Sequence, residues 1–144
     1  MSDQAIAKHG VYQMFGFEIQ DCENLGLDPQ KIYQVLRDKN FTIDVYKQLI
    51  NNEVPLKVKG ISEQIGVITD IEMRDCYIDC GFRVFSKDVF NTEIKDKLQI
   101  YPALSYQAET LALSGFYEGV YYDLSQSNPK VDSIYMVGRA KQPL

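Results

Sequence analysis

At 144 residues, with 45% hydrophobic and 24% charged side chains, the chain has the size and composition of one folded domain that can bury a core without disulfide or metal staples. A formal charge of −5 disfavours a nucleic-acid partner, because binding a phosphate backbone needs a basic surface that releases counterions. No apolar run has bilayer-spanning length, and the opening MSDQAIAKHG lacks the apolar centre of a signal peptide, so neither a membrane partner nor secretion is expected.

Residues 1–10 read as a polar N-terminal arm and 11–144 as a single globular α+β domain. VYQMFGFEI (11–19) alternates weakly and predicts a strand, with Gly16 as a bulge. DPQKIYQVLRD (28–38) predicts a helix with Asp28 as its cap. Pro29 takes the first helical position, where its missing N–H costs nothing. Thr42 predicts the cap of a second helix over 42–52, in which Val45 and Leu49 lie one turn apart.

From Val54 the period becomes two. VPLKVK (54–59) is a short strand. IGVITDIEM (65–73) is another, with Ile65, Val67, Thr69, Ile71 and Met73 on one face. A turn at Arg74-Asp75 leads into CYIDCGFRVF (76–85), which closes a hairpin with one wet side. Ser86 caps a third helix over 86–98, followed by the strand IYPALSYQAETLAL (100–113) and an aromatic, glycine-punctuated segment (114–125). The turn residues QSNPK (126–130) precede a last strand, VDSIYMVGR (131–139). The plan is α+β: a mostly antiparallel β-sheet or barrel with about three short helices.

Candidate chemistry is sparse. Cys76 and Cys80, on one strand, would stand about 13 Å apart, too far to bridge, and with Cys22 they read as reduced thiols. One histidine, His9, and a C-x3-C spacing do not make a zinc site, so no metal or cofactor is expected. Asp70, Glu72, Asp75 and Asp79 crowd one hairpin, but alternation puts most of them on a solvated face. KGISEQIG (59–66) lacks the lysine and hydroxyl that a phosphate loop needs after its second glycine.

Two features remain. The chain uses tyrosine ten times and tryptophan never. Phe116, Tyr117, Tyr121 and Tyr122 crowd one segment, which is either a partner-binding surface or a twisted core strand. Ser105 lies inside the strand at 100–113, where a nucleophile would need a base. His9 sits in the arm, which leaves Lys57 or Lys59, so the chemistry alone favours a small packed residue.

Val54-Pro55-Leu56 on a short strand, a loop, an Ile65-Gly66-Val67-Ile68 strand, a hairpin return, a helix, then Leu104-Ser105-Tyr106 on a strand form an order that resembles the caudovirus prohead (capsid maturation) proteases, relatives of the herpesvirus assemblins. In that family an Asn-His pair after the Pro-Leu strand supplies the base and a Leu-Ser-aliphatic-Gly strand the nucleophile. The resemblance puts Ser105 at the nucleophile position and Lys59 and Gly60 where Asn and His would stand, with Gln107 in place of the usual small residue. A serine without its base retains little beyond binding and oxyanion stabilisation.

The resemblance therefore implies a prohead-protease-like fold and a non-enzymatic virion component, a capsid decoration, cement or capsid-associated protein. It would pass from host cytoplasm into the particle. The expected partners are the major capsid protein and further copies of the chain, met through residues 115–122 and the arm. The alternatives are an active serine endopeptidase of capsid maturation, with Ser105 as nucleophile and Lys59 as base, and a small acidic phage inhibitor of a host protein.

Overall fold

Alternation rather than helical period governs most of the folded chain. The computed structural model describes residues 4–58, 63–75, 77–85, 101–137 and 143–144, and strand makes up 53% of the molecule. In order these are β1 (Gln4–Ile6), β2 (Gly10–Phe15), a 3-10 turn (Gly16–Glu18), β3 (Ile32–Arg37), α1 (Lys39–Asn51), β4 (Pro55–Val58), β5 (Gly66–Met73), β6 (Ile78–Val84), β7 (Tyr101–Leu111), β8 (Gly115–Tyr117), β9 (Val120–Tyr122) and β10 (Leu124–Val137).

Eight strands form one mixed sheet organised on β10, and β8–β9 is a separate hairpin. Along one edge β10 pairs antiparallel with β7, from Ser125↔Leu111 to Val137↔Tyr101. Its other edge is shared. β3 runs parallel to it at Leu124–Gln126, and β4 runs parallel to it at Ile134–Met136. Beyond β4 the antiparallel strands β5, β6 and β1 follow, and beyond β3 lies β2.

Between β3 and β4 a helix side chain serves β10 instead of a strand. Gln48 Nε2 donates to the Pro129 carbonyl at 2.5 Å, and the Val131 N–H donates to Gln48 Oε1 at 2.8 Å. Gln48 thus satisfies one acceptor and one donor that a neighbouring strand would have taken. Asn128, with φ 51°, and register shifts between Ser127 and Lys130 and between Val131 and Ser133 mark β10 as bulged there. α1 is oriented by Phe41, Val45 and Leu49, spaced at i, i+4 and i+8. They enter a core with Leu56, Val58, Ile65, Ile78, Cys80 and Ile134. A second core joins Tyr12 and Met14 of β2, Tyr33 and Val35 of β3, Ile19 after the 3-10 turn and Leu124 of β10.

The expected α+β plan, a mostly antiparallel sheet or barrel with about three short helices on prohead-protease lines, is corrected by this architecture. The sheet is mixed, and the described residues contain one α-helix. Segment 28–38 is not a helix but the strand β3. Asp28 Oδ1 accepts the Gln30 N–H at 2.9 Å, so the Asp-Pro pair closes a turn, while Tyr33 and Val35 alternate into the second core. The helix expected over 42–52 exists but starts earlier. Asp38 Oδ1 accepts the Phe41 N–H at 3.0 Å as its cap, and the Thr42 hydroxyl donates to the Ala7 carbonyl at 2.7 Å.

Other expectations change in detail. QSNPK lies inside β10 as its bulge rather than before it as a turn. Gly16 opens the 3-10 turn where a bulge was expected. In β5 the register shifts between Thr69 and Glu72, with Asp70 at φ 49°, so the expected single face from Ile65 to Met73 is broken. The third helix, 86–98, lies outside the described residues. Of the expected arm, Gln4–Ile6 pairs antiparallel with β6 as β1.

Gln48→Ala would leave the Pro129 carbonyl and the Val131 N–H without their partner inside the molecule. Urea unfolding should show a loss of about 1–3 kcal/mol. Gln48→Glu, which keeps only an acceptor, should fall between the variant and the parent.

Candidate functional site

The aromatic segment folds as the hairpin β8–β9, with Glu118-Gly119 as a two-residue turn. Both residues have positive φ, 50° and 82°, the combination that matches the twist of the flanking strands. Gly115 pairs with Tyr122, whose hydroxyl would lie 2.8 Å from any Cβ added at Gly115, so the ring occupies the space a side chain would fill. Phe116 pairs with Tyr121 and their rings meet edge to face at 5.5 Å between centroids. Phe116 is 73% exposed and Tyr121 45%, so this edge-to-face pair is on the surface.

The hairpin is tied to the sheet at two points. The Tyr117 hydroxyl lies 2.8 Å from His9 Nδ1, with the rings edge to face at 5.6 Å. The Tyr117 phenol is pushed up first by desolvation, then by the nearby Glu118 and Asp38 carboxylates. Gln34 of β3 holds the other end. Its side-chain amide donates to the Tyr121 carbonyl, its backbone N–H donates to Asp123 Oδ2 at 2.9 Å, and its carbonyl accepts the Asp123 N–H at 2.7 Å.

The Gln34 side chain also shows which face of the β2–β3 pair the hairpin lies on. Gln13 and Gln34 are paired, as are Phe15 and Ile32, so by alternation all four point to that face, opposite Tyr12, Met14, Tyr33 and Val35. Phe15 stacks on Phe17 at 5.3 Å, and Phe15, Phe17 and Ile32 are all exposed. Phe116, Tyr121, Phe15 and Ile32 therefore lie on one side of the molecule, around a polar anchor. The sequence marks the hairpin aromatics but not Phe15, Phe17 and Ile32. The Phe-x-Phe spacing is a usable signal, but the helix expected over 28–38 separates Ile32 from it.

A second cluster is closed rather than open. The Arg37 guanidinium carbon stands 4.4 Å from the Tyr12 ring centre, 4.6 Å from that of Tyr106 and 5.6 Å from that of Phe41. Arg37 Nε donates to Gln126 Oε1 at 3.1 Å, Nη2 donates to the Tyr106 hydroxyl, and that hydroxyl donates to Gln126 Oε1 at 2.8 Å. The protein's own cation fills the aromatic cage. Burial pushes the Tyr12 phenol up to about 12 against the pull of Arg37, and burial raises Tyr106 as well.

Ser105 lies on β7 opposite Ser133 of β10, and its sequence neighbours Leu104 and Tyr106 pack on the main core. Lys57 is on β4, across β10 from β7. Lys59 and Gly60, the positions implied for the base, lie outside the described residues, as does Cys76. His9, 8% exposed, is engaged by Tyr117 instead of sitting in a free arm. Cys80 is in the core and Cys22 is half-buried, its thiol 3.5 Å from the Leu27 carbonyl. Among the described residues no three or more His, Cys, Asp or Glu side chains are placed to hold a metal.

No protein-family model, curated protein or solved structure matches the chain.

The folded-state value for Tyr12 lies above the ordinary 10, so the neutral phenol supports the fold fully below pH 10 and loses that support as pH rises towards 12. Unfolding midpoints should fall across this window, and Tyr12→Phe should flatten the fall. Glu118→Asn places a residue that tolerates positive φ in the turn. It should stabilise the chain by roughly 0.5–1 kcal/mol in thermal unfolding.

Proposed function

We propose that the chain is a non-enzymatic binding protein that docks on a protein partner through the β8–β9 face, and that the partner is the shell protein of a phage capsid. The observation that carries the docking surface is the exposed Phe116–Tyr121 pair, presented on a hairpin held by Gln34 and His9. Large aromatic rings add contact area with few rotatable bonds, and binding energy concentrates in such anchors when a partner covers them. Phe15, Phe17 and Ile32 extend the apolar area beside them.

The choice of a shell partner rests on the sequence motifs ending in Leu104-Ser105-Tyr106. A catalytic role for Ser105 has less support, since the single histidine of the chain is bound to Tyr117 and faces a different task. Binding without chemistry is the use that remains for the motif order and the open aromatic face together.

Sedimentation of purified shells mixed with the chain tests this reading. The parent should pellet with the shells, and Phe116→Ser combined with Tyr121→Ser should weaken association by roughly thirtyfold. Both side chains point to solvent, so the melting temperature of the double variant should stay close to the parent's. Shells that take up the double variant as well as the parent, or that take up neither, would sink the proposal.

A further inference from the structure

The β8–β9 hairpin is a sheet of its own, and its two edges are treated differently. The two-residue turn at Glu118-Gly119 makes Tyr117↔Val120 and Gly115↔Tyr122 the pairs that exchange backbone hydrogen bonds. Phe116 and Tyr121, paired between them, therefore turn their N–H and carbonyl groups out of the hairpin. Phe116 turns its groups from the β8 edge and Tyr121 from the β9 edge.

The β9 edge is taken. It lies along β2 and β3, and the Gln34 side-chain amide donates to the outward Tyr121 carbonyl, which agrees with this parity. At Asp123, the next outward residue, the N–H donates to the Gln34 carbonyl at 2.7 Å. On the β8 edge the outward N–H and carbonyl of Phe116 bond to none of the described residues. Ser114, Gly115, Phe116 and Tyr117 include no charge and no proline, the usual devices that keep a second strand off an edge.

The occupant that matches is a second copy. One residue that offers one donor and one acceptor is complementary to itself: across a two-fold axis at Phe116, each N–H donates to the carbonyl of the other copy. The register then sets Ser114 beside Glu118 of the other copy, which brings a hydroxyl donor to a carboxylate. The two Glu118 carboxylates stand at opposite ends of the pair, so like charges do not meet across it. Because the axis is perpendicular to the hairpin, both copies turn the same face outward. Their exposed rings form one row, Tyr121 and Phe116 of one copy followed by Phe116 and Tyr121 of the other.

We infer that β8 is a self-pairing edge, through which two copies of this chain join their hairpins antiparallel about Phe116 into a four-stranded sheet with its aromatic face open. The pairing uses backbone groups and leaves the rings uncovered, so it does not rest on what the rings bind. A three-residue edge makes a small interface, and the dimer is a transient one.

Sedimentation equilibrium on the full chain over roughly 10 µM to 1 mM tests it, and the parent's mass should climb towards twofold. Phe116→Pro removes the outward N–H and spares the hairpin's own bonds, so it should keep the single mass over that range. Phe116→Ala keeps the N–H and should still associate. A short bismaleimide should cross-link Phe116→Cys roughly tenfold faster than Phe15→Cys, each rate taken relative to a monofunctional maleimide. Both positions are exposed, but only residue 116 faces itself, at about 5.5 Å across the axis. A parent that keeps the single mass throughout overturns the inference. So does a Phe116→Pro chain that melts like the parent and associates like it, or equal cross-linking at the two positions, since another surface would then be responsible. Should Phe116→Pro disturb the fold, the cross-linking comparison decides. No shell enters these measurements, so their failure leaves the docking proposal standing, and the failure of docking leaves the dimer.

Discussion

The constraint on which the rest depends is the divided edge of β10. A strand of 14 residues is flanked on one side by two short parallel strands in line, with a gap between them that must not leave backbone groups unpaired. From Gln126, where β3 stops, to Ile134, where β4 takes over, β10 advances roughly 26 Å at the usual rise per residue. α1, with 13 residues, is about 20 Å long, and it joins the end of β3 to the start of β4. The helix therefore carries the chain along the gap, and Gln48, on its later turns, reaches β10 where neither strand does. Helix length, strand spacing and one amide are a single solution to one hydrogen-bonding problem.

β3 connects that solution to the surface. Its six residues place Gln34 on the hairpin, Val35 in the second core and Arg37 in the aromatic cage, and Asp38 directly after it caps α1. Arg37 lies between Tyr12 and Met14 of one core and Phe41 and Tyr106 of the neighbourhood of the other. A guanidinium is less strongly hydrated than an ammonium and can stack on rings while donating in plane. The cation can thus sit between two cores, and the same burial holds the surrounding phenols in their neutral form.

The strands whose neighbours are close in sequence were legible. β4, β6 and β7 follow period two, β5 is a strand whose alternation breaks at the Thr69–Glu72 register shift, and the apolar positions 45 and 49 identified α1. β3 was not, because Asp28-Pro29 serves a helix start and a turn equally well and the local residues do not distinguish them. Its strand character comes from pairing with β2 and with a segment of β10 almost ninety residues later, as the Gln34–Asp123 contacts show. QSNPK misleads in the same way: Asn128 and Pro129 do bend the backbone, but Gln48 and β7 keep the bend inside a strand. Of the site, the hairpin aromatics could be named from composition. Their anchors could not, because Gln34 and His9 acquire their roles only through tertiary contacts.

The treatment of edges bears on how the open aromatic face is read. Exposed strand edges attract other strands, and single residues here cap individual edge groups: Leu144 and Glu18 on β2, and Gln20, whose Oε1 accepts the Ala108 N–H of β7 at 3.2 Å. Among the described residues the face with Phe116 and Tyr121 has no comparable cover, and the hairpin beneath it accepts a non-glycine residue at positive φ to form its turn. Folding alone gains little from an exposed ring pair on a strained turn, whereas a binding surface gains a rigid, pre-formed anchor. A molecule that caps individual groups on the edges of its main sheet while leaving this face open separates two kinds of association. The first kind is opposed where single residues cap backbone groups, and the second is the one on which the proposed docking rests.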